Sequence, residues 1–161
     1  MKKLKIGIIG YGKMGKIRHK AIEKSGQAEV IVIFDPNPIV PVNHKIKVAS
    51  SAEKVLNQEI DAVFICTPNN FIKPLTVSAL QKGIHVFAEK PPGINLEEAL
   101  EMQSVEQRLN DKVLMFGFNH RHHGSVAKMK EIIEEESLGK ILWMRGRYGK
   151  EVDENYLKDW R

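Results

Sequence analysis

The chain has 161 residues, 42% hydrophobic and 28% charged, with 12 glycines and 7 prolines. This excludes a disordered or fibrous polymer and leaves room for one complete ordinary domain but not two. A single cysteine, Cys66, excludes an intrachain disulfide and a cysteine-rich zinc site and suits a reducing, cytoplasmic setting. The 25 Lys and Arg are scattered among 20 Asp and Glu, for a net charge of +5. No basic run exceeds a pair, so nucleic acid is not the expected partner, and no apolar run approaches the ~20 residues of a membrane helix.

Met1-Lys2-Lys3-Leu4 imitates the start of a signal peptide, but its apolar run stops after Ile9 at Gly10, and no cleavable segment is expected. Leu4 to Ile9 instead reads as a strand, followed by a helix with Met14, Ile17, Ala21 and Ile22 at helical spacing. Val30 to Phe34 is a second buried strand. Past the turn Asp35-Pro36-Asn37-Pro38, where residues 36–45 carry no clear pattern, a weak strand at Ile46 to Ala49 leads into a short helix near Ala52 to Leu56. Ala62 to Cys66 is a third clear strand, broken by Thr67-Pro68; a helix from about Pro74 to Lys82 then stops on Gly83. Ile84 to Ala88 is the next strand. Asn95-Leu96-Glu97-Glu98 has capping-box form and opens a helix with Ala99, Met102, Val105 and Leu109 along one face; Val113 to Phe118 is a further strand.

Strands alternating with helices, each strand too apolar to show polar alternation, predict a parallel sheet covered on both faces. Residues 1–119 therefore form a doubly wound α/β domain. Residues 120–161 read as the opening of a second α/β domain. Its parts are a helix around Ser125 to Glu136 with Val126, Met129 and Ile133 facing inward, a stop at Leu138-Gly139, and a strand at Ile141 to Tyr148 with Trp143 and Tyr148 packed on a sheet. With no later strands in the chain to pair with it, Leu142, Trp143 and Met144 are expected to be far more exposed than Ile6 to Ile9.

Gly10-Tyr11-Gly12-Lys13-Met14-Gly15 fits G-x-G-x-x-G between a predicted strand and a predicted helix, the context of a Rossmann dinucleotide turn. The first glycine permits the tight turn, the second clears the phosphate path, and the third lets helix and strand approach, with N–H groups left at the helix N-terminus for the anion. Gly10, Gly12, Lys13, Met14 and Gly15 are thus candidate cofactor contacts, the competing reading being a merely tight turn. Asp35 stands 20 residues after Gly15 at a strand end, placed to accept from the adenosine ribose hydroxyls. It favours NAD over NADP: a 2′-phosphate there would face a like charge costing up to ~4 kcal/mol at ~4 Å, with no arginine following to offset it. The alternative for Asp35 is an Asx turn with Pro36.

Glu89-Lys90-Pro91-Pro92 follows directly on a parallel strand, at the sheet edge where such folds hold ligands. Taken alone, Glu89-Lys90 would read as an exposed ion pair. Taken with the glycine turn, Asp35, Cys66-Thr67-Pro68-Asn69, Gly83-Ile84-His85-Val86 and Gly117-Phe118-Asn119-His120-Arg121, in this order and spacing, the chain resembles the Gfo/Idh/MocA family of NAD(P)-dependent oxidoreductases. The resemblance implies that Thr67, Pro68 and Asn69 line the cofactor, that Glu89 lies beside it, and that Lys90 is catalytic, reaching both nicotinamide and substrate across a cis bond to Pro91. An ammonium there would polarise a carbinol oxygen and help its proton leave as hydride passes to NAD. It also implies that Asn119, His120 and Arg121 lie near the substrate, Arg121 being able to meet a carboxylate or phosphate. His120, His122 and His123 lack metal-site spacing on an irregular segment, so no metal is expected. Cys66 reads as a small core residue.

The resemblance implies more: a larger second domain, through which the protein forms a homo-oligomer and which supplies an Asp and a His acting with the lysine. The chain reaches Arg161 before such a motif. It is expected to be either a fragment of a longer enzyme or a short form that binds dinucleotide without turnover. The expected function is NAD-dependent hydride transfer between the nicotinamide and a secondary alcohol of a sugar, sugar derivative or cyclitol. The alternatives are a non-catalytic dinucleotide-binding or assembly module, or a reductase of imines or aldehydes on the same scaffold.

Overall fold

The computed structural model describes residues 2–37, 45–109, 111–147 and 149. Six parallel strands form one sheet among them: β1 (Leu4–Ile9), β2 (Ala28–Phe34), β3 (Lys47–Val48), β4 (Ala62–Ile65), β5 (His85–Ala88) and β6 (Leu114–Phe116). Helices α1 (Lys13–Ser25), α2 (Ala52–Leu56), α3 (Asn69–Gln81) and α4 (Leu96–Gln107) connect them. The strand order is β3-β2-β1-β4-β5-β6. The chain steps outward from β1 to β3, then returns to pair β4 with the other side of β1, so a topological switch point lies between β1 and β4.

The register brings the strand ends into one row. Ile9 is level with Phe34 and with Ile65, Ile65 with Ala88, and Ala88 with Phe116. The ladder runs one residue further on four strands: Gly10 N–H donates to the Phe34 carbonyl at 2.8 Å, Cys66 to Ile9 at 2.7 Å, Glu89 to Ile65 at 2.9 Å and Gly117 to Ala88 at 2.9 Å. The first residue past each of these strands is therefore held as firmly as the strand itself.

Alternation along the strands, offset in β2 by a register shift opposite Ile6 and Gly7, splits the strand side chains between two cores. Ile6, Ile8, Val30 and Ile33 pack with Tyr11 and Ile22 of the α1 side, while Ile9, Val32, Val63, Ile65 and Val86 pack with α2, α3 and α4 through Val55, Ile72, Leu80 and Met102. Each fully buried aliphatic side chain is worth about 1.5–3 kcal/mol, so the sheet is anchored on both faces. Gly7 permits the close approach of the α2 side: a Cβ there would come within 2.7 Å of Val55 Cγ1 and 2.9 Å of Ile60 Cδ1.

The structure corrects the expected helices in two places. Helix α3 begins at Asn69 rather than near Pro74, with Pro68 as its N-cap and Pro74 inside it on the exposed side, where the carbonyl that loses its N–H partner faces water. Its end is as expected: Gly83, at φ +76°, donates to the Leu80 carbonyl and Ile84 to that of Ala79, a Schellman motif. The buried face of α1 runs through Gly15, His19 and Ile22, while Ile17 is 46% exposed and Ala21 is also exposed. His19 sits in the core because Tyr11 binds it, which apolar spacing does not report.

Contacts divide the chain into one unit ending at Phe118 and a second beginning at Asn119. The second contains a 3-10 helix (Asn119–His122) and α5 (Gly124–Glu134). The expected strand at 141–148 is not formed: residues 141–147 carry no regular structure, and Tyr148 lies outside the described residues. A strand needs a neighbour for its backbone groups, and no described strand follows β6. The inward face expected of α5 is likewise unburied, Val126 being half-buried and Met129 and Ile133 exposed. Trp143 is 76% exposed rather than packed on a sheet, and Leu142 and Met144 are exposed to 83% and 70%, against 3% or less for Ile6, Ile8 and Ile9.

Candidate functional site

Three glycines shape the turn after β1 for different reasons. Gly10 has φ +89°, and a Cβ on it would lie 2.6 Å from the Cys66 carbonyl oxygen. A Cβ on Gly15 would lie 2.2 Å from the carbonyl oxygen of Gly10, so the helix can start this close to the strand only without one. At Gly12 a Cβ would meet nothing within 4 Å. Protein packing does not require Gly12 to lack a side chain, so its flank is open space. Gly12 is also the N-cap of α1, with no side-chain cap and no acidic residue in the first turn. The first intrahelical bond runs from Lys16 N–H to the Gly12 carbonyl at 3.1 Å, and the amides before it form a positive helix end suited to an anion. Lys13 is exposed and Met14 half-buried at that end.

Asp35 follows β2 and is half-buried. Its Oδ2 accepts the Tyr11 N–H at 2.7 Å; its Oδ1 accepts the Asn37 N–H at 2.9 Å and Asn37 Nδ2 at 3.2 Å. The Asx turn and the link to the glycine turn thus coexist, one on each oxygen. A carboxylate offers about four lone-pair directions, so Oδ2 retains capacity for a hydroxyl donor. Burial, with Glu23 nearby, pushes the Tyr11 phenol up, and its hydroxyl is hydrogen-bonded to His19 Nδ1 at 2.5 Å. His19 Nε2 lies 3.3 Å from Glu23 Oε1.

Past β4, burial and the Glu89 carboxylate push the Cys66 thiol up to about 12, partly opposed by Arg18, so Cys66 is a neutral thiol. Thr67 places Oγ1 in a buried position with no hydrogen-bond partner among the described residues, a loss of about 1–3 kcal/mol for such a group. Pro68 caps α3 and Asn69 opens it, so a second helix N-terminus stands at the same edge.

Past β5, Glu89 is buried, and its Oε1 accepts from Arg18 Nε at 2.7 Å and from Arg18 Nη2. The guanidinium lies 4.8 Å from the centroid of the Phe87 ring, which stacks on Phe64 at 4.7 Å. Gly117 leaves room for the pair, since a Cβ on it would lie 3.0 Å from Arg18 Nη2 and 3.1 Å from Glu89 Oε2. Glu89 is therefore no exposed partner of Lys90. Lys90 is exposed, and its peptide bond to Pro91 is cis.

Gly10, Asp35, Thr67, Glu89 and Lys90 all fall on or just past the aligned strand ends of the first unit. Asn119, His120 and Arg121 lie on the 3-10 helix of the second unit, with the His120 and His123 rings 4.9 Å apart. Among the described residues no group of three His, Cys, Asp or Glu is placed to hold a metal, and none of the helices described is long and apolar enough to cross a membrane. Sequence reading missed Arg18 and the packing role of Gly117. An arginine one helical turn past Gly15 carries no motif, and its partner is 71 residues away. The open flank of Gly12, the uncapped amides of α1 and the unpartnered Thr67 hydroxyl fit the pyrophosphate and polar groups of a dinucleotide.

The sequence model of an oxidoreductase family with an NAD-binding Rossmann fold matches residues 4–118. Inositol 2-dehydrogenase of Corynebacterium glutamicum is 28% identical over 170 residues, covering 98% of this chain and 49% of that protein. Glucose-6-phosphate 3-dehydrogenase of Bacillus subtilis is 32% identical over 149 residues, covering 91% and 42%. The crystal structure of scyllo-inositol dehydrogenase from Lactobacillus casei, with bound NAD(H) and scyllo-inositol, matches with a TM-score of 0.77 at 29% identity, covering 86% of this chain and 43% of that one. The chain spans less than half the length of each of these relatives.

Proposed function

The chain belongs to the Gfo/Idh/MocA oxidoreductase family with its NAD-binding Rossmann fold, and on that premise we propose that it serves NAD-dependent hydride transfer to and from a secondary alcohol carbon of a sugar, sugar derivative or cyclitol. The observation that carries this reading is the single row of strand ends holding the glycine turn, Asp35, Thr67 and Lys90 around the β1–β4 switch point. The relatives named for inositol and glucose-6-phosphate support a hydroxylated-ring substrate.

When bound, NAD supplies the hydride acceptor in the alcohol-oxidising direction. The amides of Lys13, Met14 and Gly15 would hold the pyrophosphate, with Gly12 leaving it room. Asp35 Oδ2, oriented by Tyr11, would accept from ribose hydroxyls, which favours NAD over NADP because the same carboxylate repels a 2′-phosphate. Thr67, Pro68 and Asn69 would line the cofactor beside Glu89, the Thr67 hydroxyl gaining the partner it lacks among the described residues. The Lys90 ammonium would hydrogen-bond the substrate oxygen and stabilise the negative charge that grows on it as the hydroxyl proton passes to the His that the resemblance implies in the larger second domain. Asn119, His120 and Arg121 would contact the substrate, in a division of labour where the first unit binds cofactor and the second serves substrate and assembly.

Calorimetric titration of the chain with NADH and NADPH tests this reading. Saturable NADH binding, tighter than NADPH, is expected; no binding of either would remove the proposal.

A further inference from the structure

We infer that Arg18 is a positioning residue of the dinucleotide site: it neutralises and pins Glu89, keeping a buried negative charge from opposing the anionic cofactor. This rests on the cofactor reading given above and assigns a role to a residue outside every motif that suggested it.

The geometry of the pair is specific. Arg18 gives both Nε and Nη2 to one oxygen of Glu89, its plane lies against the Phe87 ring, and Gly117 closes over the pair with no side chain to spread it. Both side chains are nearly buried. Arg18 stands five residues beyond Lys13, so it is about 7.5 Å along α1 from the amide end that would receive the pyrophosphate. It reaches from that helix across to the end of β5. An uncompensated carboxylate about 10 Å from a bound anion, poorly screened by solvent, weakens its binding by about tenfold.

The groups facing Glu89 define what happens without the arginine. From α1 comes Arg18 itself, from the end of β4 comes Cys66, a neutral thiol, and from the segment after β6 comes Gly117, which has no charge. The neighbouring Lys90 is exposed. Among the described residues Arg18 is thus the cation that meets the Glu89 carboxylate. In Arg18→Met, burial would favour the protonated acid, and each rise in pH would force an unpaired charge into the site.

NADH affinity measured by calorimetry between about pH 6 and pH 8 tests this on the parent chain, Arg18→Met and Arg18→Met/Glu89→Gln. The parent should vary by less than about threefold, and Arg18→Met should lose about tenfold as pH rises. The double variant, with no carboxylate left there to ionise, should show a flat profile whatever its absolute affinity. A flat profile for Arg18→Met, or a double variant whose affinity falls with pH as steeply as that of Arg18→Met, would overturn the inference. Urea unfolding without cofactor gives a second readout: Arg18→Met should lose stability as pH rises across this window, and the double variant should not. If Arg18→Met does not fold, the double variant decides alone: folding restored by removal of the unpaired charge supports the role, and a double variant that also fails to fold overturns it. A parent chain that binds no NADH would instead overturn the cofactor reading, and this inference with it, which separates the two failures.

Discussion

The backbone amide of Tyr11 donates to Oδ2 of Asp35 at 2.7 Å, tying the residue after the first glycine of the turn to the carboxylate at the end of β2. That bond fixes where the negative charge stands relative to the helix end. Asp35→Ala should therefore act on cofactor choice more than on binding as such. The parent is expected to prefer NADH over NADPH by at least about tenfold, and the variant by less than about threefold, in parallel calorimetric titrations. An unchanged ratio would detach Asp35 from cofactor choice.

Lys90 is exposed, whereas its neighbour Glu89 is buried and paired. Removing the Lys90 side chain should thus disturb neither core nor turn. Lys90→Ala is expected to keep NADH affinity within about threefold while lowering turnover of a secondary alcohol by at least about a hundredfold in the catalytically competent protein. Turnover retained in the variant would exclude the lysine from the chemistry.

Cys66 should be inert. With its thiol pushed up to about 12, alkylation of the folded chain near pH 8 should run about a thousandfold slower than that of an exposed cysteine. The sign for stability follows from the same shift: the folded value lies above the unfolded value of 9.0, so the contribution is complete below 9.0 and is lost as pH rises toward 12. Rapid alkylation of the native chain would contradict the buried, neutral thiol.

Gly15 and Gly12 separate packing from ligand clearance. A methyl on Gly15 would lie 2.2 Å from the Gly10 carbonyl oxygen, and backbone on both sides leaves little room to relax. Gly15→Ala is expected to lower unfolding free energy by about 1–3 kcal/mol, measured by urea titration. A neutral result would mean that helix and strand are less closely held than the geometry indicates.

The sheet was legible in the sequence because strands covered on both faces need unbroken apolar runs, and those from Leu4, Val30, Ala62 and Ile84 stand out between turn residues. The glycine turn and Asp35 were legible because their chemistry is local to strand ends. The start of α3 was not, because Pro74 looks like a first helical residue while Pro68 in fact caps the helix. His19 was missed as a core residue because the Tyr11 hydroxyl partners its Nδ1, and apolar periodicity cannot show a polar group buried with such a partner. Arg18 and Glu89 meet only through the fold. The strand expected at 141–148 failed for the opposite reason: its local pattern is strand-like, but pairing is not a local property.

The most direct test of the account is NADH titration of Gly12→Ala beside the parent, with thermal unfolding of both. A methyl at Gly12 would meet nothing within 4 Å, so the variant should unfold at the parent's temperature. It would stand in the path proposed for the pyrophosphate, so NADH affinity should fall by at least about tenfold. A variant that folds like the parent and binds NADH equally well would contradict the placement of the dinucleotide over this turn.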